Sequence, residues 1–426
     1  MSTSARSAPA GAVGWPTLLV LASLAALAPV ATDLYLPGFP DLGRDLGVGA
    51  SAVQLTLTGF LVGLAVGQLV MGPLSDRYGR RGPLIASCSV AVAAAVCCSL
   101  APTLGVLLVA RVVQGFAGAG GMVIGRAVIA DLVTGRAAAR AFTLMLTVGG
   151  IAPVLAPLVG GLLNGVVGWR GLLWVMTGIT AAVLVGVVVV LPETRPTQAR
   201  ASGGTSYGAA LRTVVTTRGY WPPVAVLALS FAMLMAYISA SPFVYQDVVG
   251  LSAVGYGICF GVNAVGMITA GWVSARLVDR MEPARIVRIA SSIQLAATAT
   301  LLALALADAP TWLLPAAVFV AVTTLGGVMG NSAARAMSQV RPVAGMGSAV
   351  LGFTQFTLGA LVSPLVGLGG TSSAVVPALV MMAASALGWA VSRGRPRGRR
   401  PRRAGDGEAT PPRGRSRDAG ASAPPR

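Results

Sequence analysis

The sequence predicts an all-α integral membrane fold, with twelve transmembrane helices in two pseudo-symmetric bundles of six. Three observations lead there: a composition too apolar to coat a water-facing surface, twelve apolar runs of spanning length, and a weak repeat about half a chain long. Of 426 residues, 55% are hydrophobic and 10% charged, where a soluble domain carries roughly 25% charged residues. With a mean hydropathy of +0.78, the chain needs lipid as the solvent for most of its surface.

Crossing ~30 Å of hydrocarbon takes about 20 apolar residues. Such runs fall near 15–36, 51–72, 83–101, 104–126, 141–164, 170–191, 221–243, 254–276, 285–307, 311–334, 345–368 and 371–392. The first continues past Ala28 toward Asp33 and eleven more follow, so it reads as a retained helix and not a cleaved signal. Short connectors carry turn formers such as Pro102–Thr103, Asp308–Pro310 and Gly369–Ser372.

Every cation is Arg. With the N-terminus inside, 17 Arg from Arg6 to Arg341 fall in cytoplasmic segments, with Arg126 counted at the inner end of the fourth run. Eleven more lie in the tail, against Arg44 and Arg170 outside and Arg111 within a span. This asymmetry fits the positive-inside rule with both termini cytoplasmic, which requires an even number of spans. The expected location is the cytoplasmic cell membrane, multi-pass, with the lipid bilayer as an obligate partner.

Residues 1–14 read as a cytoplasmic N-terminus, 15–191 as the first bundle and 221–392 as the second. Between them, 192–220 reads as a flexible cytoplasmic linker, marked by Pro192, Pro196 and Ser202–Ser206. Residues 393–426 read as a disordered Arg-rich cytoplasmic tail. The halves echo each other: Pro157 and Pro364 lie 207 residues apart in similar contexts, and Asp76–Arg77 recurs as Asp279–Arg280 at an offset of 203. Parallel repeats of six spans are the architecture of rocker-type secondary transporters, with substrate sites at the interface between halves.

The net charge of +18 does not indicate a nucleic-acid partner. The tail alone holds eleven Arg against three acids, so nearly half the excess sits in one segment. His is absent, and the four Cys (Cys88, Cys97, Cys98, Cys259) lie in apolar runs without ligand spacing. No metal and no cofactor is expected. An enzyme would need a nucleophile–base set or paired intramembrane acids, and neither is present. Gly118–Gly121 is Gly-rich but lacks the Lys of a phosphate loop.

Gly72-Pro-Leu-Ser-Asp-Arg-Tyr-Gly-Arg-Arg81, between the second and third runs, resembles the loop signature of the major facilitator superfamily, G-x-L-x-D-R-x-G-R-K/R. Gly72 and Gly79 permit a tight turn and close helix approach. Asp76 can lie against a neighbouring helix N-terminus, making Gly72, Asp76, Arg77, Gly79, Arg80 and Arg81 a candidate conformational latch; alternatively these charges only set topology. Arg111-Val-Val-Gln-Gly115 resembles the superfamily's R-x-x-Q-G element, and 149–161 its Gly/Pro-rich antiporter motif, carried by Gly149, Gly150, Pro153, Pro157, Gly160 and Gly161. The stretches 33–40 and 241–245, and the Gln355 helix leading to Pro364, are similar to the Bcr/CflA group of drug resistance transporters. The resemblance covers about 15–392 and implies proton-driven efflux of drugs or related metabolites by a monomer, not an enzymatic activity. Uptake or export of one specific metabolite, such as a sugar or amino acid, is the alternative reading.

Only Asp33 and Arg111 place formal charge well inside spans, at roughly 2.5–3.5 kcal/mol each on insertion scales. Asp33 is the candidate proton carrier and Arg111 its candidate partner, since burial favours a protonated carboxyl and a nearby cation an ionised one. A permanent cap or pair is the competing role. Candidate cavity residues for a small-molecule substrate are Gln54, Thr58, Gln114, Tyr237, Ser241, Tyr245, Asn263, Asn331 and Gln355. Each also suits an ordinary interhelical hydrogen bond.

Overall fold

A computed structural model describes residues 14–133, 135–194, 206–307, 309–370 and 373–394, with no strand among them. α1 (Trp15–Asp33) starts with Pro16 in its first turn, where a missing N–H costs nothing. It stops at Asp33, passes through a 3₁₀ turn (Leu36–Gly38) and resumes as the short α2 (Phe39–Leu46), which ends on left-handed Gly47. α3 (Ala50–Tyr78) and α4 (Arg81–Ser99) meet at Gly79, whose φ of 90° favours glycine. α5 (Leu104–Leu132) begins where the Thr103 hydroxyl accepts the Val106 N–H.

The helical run Gly135–Val190 turns at Gly168, φ 65°, into limbs 135–167 (α6) and 169–190 (α7). The apolar part of that run, Val148–Val190, has 43 residues, about 65 Å at 1.5 Å per residue and twice a bilayer core. It is one of eleven apolar stretches long enough to span a membrane among the described residues; crossing twice, it brings the crossings to twelve. The second group holds α9 (Trp221–Phe243), α10 (Ala253–Leu277), α11 (Pro283–Leu306), α12 (Leu314–Thr323), α13 (Leu325–Ser338), α14 (Ala344–Val362) and α15 (Val375–Arg393). α8 (Tyr207–Thr216) precedes it. The two groups form one compact unit.

Three expectations change. The linker is not wholly irregular: α8 buries Val214 against Tyr220, Val340 and Val350, with Leu211 beside them. Its remaining stretch, 195–205, and the tail lie outside the described residues. The tenth span divides at Thr324, whose hydroxyl donates to the Ala321 carbonyl and so competes with the helical ladder. α5 runs six residues past Arg126, which places that Arg inside the helix and not at its boundary.

Small residues set the helix spacing within the first bundle. A Cβ at Gly63 would come 2.7 Å from the Phe116 nitrogen, so α3 and α5 touch backbone to backbone. Between bundles, α3 packs on α14 and α6 on α10. Twelve crossings bring the start of α1 and the end of α15 to the same side, here called the terminal side; the other is the distal side.

Candidate functional site

At the junction of the bundles lies a cavity of about 230 Å³. The first bundle gives it Pro29 and Asp33 from α1, Phe60 from α3, Met122 from α5 and Pro153 from α6; the second gives Phe231, Met235 and Tyr237 from α9, Asn263 from α10 and Gln355 from α14. The wall is apolar and sulfur-rich with a few polar groups, a composition that suits amphipathic ligands. Its volume is below the ~300–1,000 Å³ typical of ligand sites, so a drug-sized molecule needs a wider opening than this conformation offers.

Asp33 is 3% exposed and ends α1 on this wall. The Thr32 hydroxyl lies 2.8 Å from Asp33 Oδ1, and among the described residues no cation pairs with the carboxylate. Arg111 is fully buried but is committed elsewhere. Its Nη1 donates to Gln114 Oε1 at 2.7 Å, its Nη2 to the Tyr35 hydroxyl at 3.2 Å and its Nε to the Thr56 carbonyl at 3.3 Å. The guanidinium carbon sits 4.6 Å from the ring centres of both Tyr35 and Phe60, a doubled cation–π contact. The Tyr35 hydroxyl stands 3.0 Å from Thr56 Oγ1, which donates to the Val53 carbonyl. Asp33 and Arg111 therefore touch through intermediaries: Tyr35 is two residues from one and bonded to the other, and Phe60 lines the cavity beside Asp33.

Of the nine residues expected in the cavity, three line it: Tyr237, Asn263 and Gln355. Asn263 Nδ2 donates to the hydroxyls of Tyr237 (2.8 Å) and Tyr245 (3.3 Å), so Tyr245 stands behind the wall. Ser241 bonds the Ile238 carbonyl and faces Tyr256. Gln114 serves Arg111, and Asn331 donates to Ser274 and the Gly327 carbonyl within the second bundle. Gln54 and Thr58 hold the bundles together: Gln54 Nε2 donates to the Ser239 carbonyl (3.0 Å) and Thr58 to the Ala360 carbonyl (3.2 Å). With Gln246 Nε2 on the Pro37 carbonyl, they close the distal seam without a single ion pair between the bundles among the described residues, and Ser239 is itself held by Ser363 within the second bundle. Neutral contacts of this kind open at low cost.

The Gly/Pro-rich stretch lies on α6 beside that seam. A Cβ at Gly160 would meet the Pro37 ring at 3.2 Å, and Gly161 abuts the Ala253 backbone of α10. Pro153 lines the cavity and the Pro157 carbonyl faces Gly257. Gly149 and Gly150 have room for a side chain. At Gly257 an added Cβ would stand 2.8 Å from the Pro157 oxygen and 2.9 Å from Leu158 Cα. Gly257→Ala is therefore expected to wedge α6 from α10 and lengthen spin-label distances across the distal seam; an unchanged distance distribution would show that the glycine is not needed there.

On the terminal side, the loop between α3 and α4 is organised by Arg80, which is 7% exposed. Its Nε donates to Asp131 (2.8 Å) and its Nη1 to Asp76 (2.8 Å) and Ser75 (2.9 Å). The carboxylate at a helix N-terminus is that of Glu193, which accepts the backbone N–H groups of Arg80 (2.8 Å) and Arg81 (3.2 Å) at the start of α4. Arg81 Nη2 reaches the Val188 carbonyl, and Arg77 stacks over Tyr78. Asp76 thus bonds to Arg80 in this conformation. Gly72 has ordinary clearance, 3.7 Å to Val123, so only Gly79 is required by backbone geometry. Asp131 and Glu193 were not singled out from sequence; the signal was an acid at the end of an apolar run. Glu193→Gln is expected to weaken the cap by about 0.3–1 kcal/mol, read as a lowered melting temperature in detergent.

Two six-helix bundles with a membrane-embedded cavity at their junction define a secondary transporter. Residues 21–364 match the model of the Major Facilitator Superfamily, and the chain belongs to that family. It is 34% identical over 370 residues to the uncharacterized MFS-type transporter YdgK of Bacillus subtilis, covering 86% of this chain and 92% of that one. It is 30% identical over 360 residues to a bicyclomycin resistance protein homolog of Haemophilus influenzae (82% and 88%). A multidrug resistance protein, MdtL of Klebsiella pneumoniae, is 27% identical over 338 residues (79% and 85%). The fold is shared with the xylose transporter XylE of E. coli in a partially occluded inward open conformation, at a TM-score of 0.70 and 14% identity over 89% of this chain and 96% of that one. It is also shared with the nucleoside transporter NupG, at 0.71 and 11% over 88% and 98%.

Proposed function

We propose that the protein exports small amphipathic molecules, drugs or natural metabolites, across the cytoplasmic membrane in exchange for protons, as a monomer working by alternating access. The observation that carries this reading is Asp33: a carboxyl at the end of a spanning helix, on the wall of the central cavity, with a hydroxyl at hand and no paired cation among the described residues. An ionised carboxylate in that apolar wall is costly, and one facing a water-filled opening is not. Opening to either side in turn thus gives the group a reason to bind and release a proton.

The names of the Haemophilus and Klebsiella relatives support drug-like substrates. The Arg excess supports a cytoplasmic terminal side, and the Arg80 network there supports a latch that holds the first bundle's cytoplasmic end. The test uses everted vesicles with an acidified lumen and labelled bicyclomycin. Antiport drives bicyclomycin into the lumen as protons leave. Depletion of the lumen would indicate symport, and no movement would reject bicyclomycin-type export.

A further inference from the structure

Arg126 is a cation on a spanning helix whose position serves neither the latch nor the Arg111 network. It lies on α5 six residues before the helix ends, about 9 Å along the axis. It is exposed, and no hydrogen bond or ion pair engages it among the described residues.

The packing of α5 fixes the direction in which Arg126 points. Val106, Val109 and Val113 are exposed and mark the lipid side. At about 100° per residue, Arg126 stands roughly 100° from Val109 and about 40° from Met122, one turn away. α1 packs on Gly121 and Gly125 through Leu24, while α3 packs on Val112 and Phe116 through Gly63. Met122 lies in the sector between those two neighbours and lines the central cavity, and Arg126 lies at the α3 edge of that sector, about 20° from Ala119, which meets Gly67. Arg126 therefore looks into the approach to the cavity from the terminal side.

We infer that Arg126 is the anion-recognising group of the inner vestibule, selecting substrates with one anionic group on an apolar body and disfavouring organic cations. The inference rests on the export reading for its direction only. Guanidinium forks bind carboxylate, sulfonate and phosphate oxygens through paired N–H groups, and this fork has no internal acceptor. Eleven residues of α5, about 16 Å, separate Arg126 from Gly115, which abuts Phe60 at the level of Asp33. An anion held by Arg126 is therefore not in contact with Asp33. The apolar body of the substrate then extends toward Met122, Phe60 and Phe231.

The test measures binding by the full-length protein in nanodiscs, without a proton gradient, to three ligands on one scaffold: 4-butylbenzenesulfonate, 4-butylbenzamide and 4-butylphenyl-trimethylammonium. The sulfonate is expected to bind about tenfold more tightly than the ammonium compound, a step of about 1.4 kcal/mol. Arg126→Gln should shrink that ratio to about twofold, Arg126→Lys should keep most of it, and Arg126→Glu should invert it. A ratio unchanged in Arg126→Gln, or equal losses for all three ligands, would overturn the inference. As a second arm, Arg126→Cys in a chain with its four native cysteines replaced by Ala should react with an impermeant thiosulfonate from the terminal side. The sulfonate ligand should protect it; an unreactive thiol places the residue in lipid and also overturns the inference. Because no gradient is applied, loss of antiport in vesicles leaves these outcomes standing, and their failure leaves antiport intact.

Discussion

Asp33→Asn is expected to collapse proton-driven accumulation from about 100-fold to near unity in everted vesicles whose lumen is two pH units more acid than the medium. One pH unit is worth about 1.36 kcal/mol, and each 1.4 kcal/mol is a factor of ten; one-for-one exchange across two units thus sustains roughly two decades of substrate gradient. Asn keeps the size of Asp and still offers an oxygen to the Thr32 hydroxyl, which lies 2.8 Å from Oδ1. Ligand binding and folding should therefore survive while the titrating group is gone. The surroundings are suited to a coupled group. Pro29, inside α1, lacks the N–H that would bond the Ala25 carbonyl one turn earlier, and beyond Asp33 the helix gives way to a 3₁₀ turn. The competing role, a fixed cap for that turn, makes a different forecast: the melting temperature falls and the accumulation ratio holds. Measuring both on one preparation separates them, and a full 100-fold gradient in the variant would end the case for Asp33 as the proton carrier.

How far the sequence could be read depended on the physical signal each feature leaves. Helix count follows from apolar length, and the twelve runs match the twelve crossings because nothing else pays for 43 consecutive apolar-rich residues such as Val148–Val190. Asp33 and Arg111 stood out because charge within a span is expensive. The cavity was harder. Gln54, Thr58, Tyr245 and Asn331 are polar residues in apolar helices just as Asn263 is, and periodicity does not say whether a helix face meets a cavity or a neighbouring helix. Only the packing shows that Gln54 reaches the Ser239 carbonyl across the seam, while Asn263 borders open space. The apolar part of the wall (Phe60, Met122, Phe231) left no mark at all, because such residues look the same whether they face lipid, core or substrate. Hydropathy ends the fourth run at Arg126 but not its helix, since α5 continues to Leu132. Asp131 and Glu193 needed partners 51 and 113 residues away in sequence to declare their role.

Arg111→Gln is expected to cost roughly 3 kcal/mol or more, since it leaves three buried acceptors without a donor at about 1–3 kcal/mol each, and to lower the melting temperature more than any other single change proposed for the first bundle. The substitution strands acceptors that have no access to water. Gln114 Oε1 loses its 2.7 Å donor, the Thr56 carbonyl its 3.3 Å donor and the Tyr35 hydroxyl its 3.2 Å donor. Each unsatisfied buried group costs about 1–3 kcal/mol, and the contacts with the Tyr35 and Phe60 rings vanish as well. Arg111→Lys should recover only part of the loss, since one ammonium cannot reach three acceptors held in a fork while covering two rings. Transport should report more than stability, because the network joins elements that also build the cavity. Tyr35 follows Asp33 by two residues, and Phe60 borders the same space. If Arg111 fixes where α1 ends relative to α3, Arg111→Lys should leave a folded protein whose proton-to-substrate ratio drifts below that of the parent. If Arg111 only holds the bundle together, the ratio should stay constant as the melting temperature falls. A ratio-and-stability pair measured across Arg111→Lys, Arg111→Gln and Tyr35→Phe distinguishes these cases: Tyr35→Phe removes one acceptor but keeps the ring, so it should shift coupling with little loss of stability only where the Arg111–Tyr35–Thr56 chain positions the carboxyl.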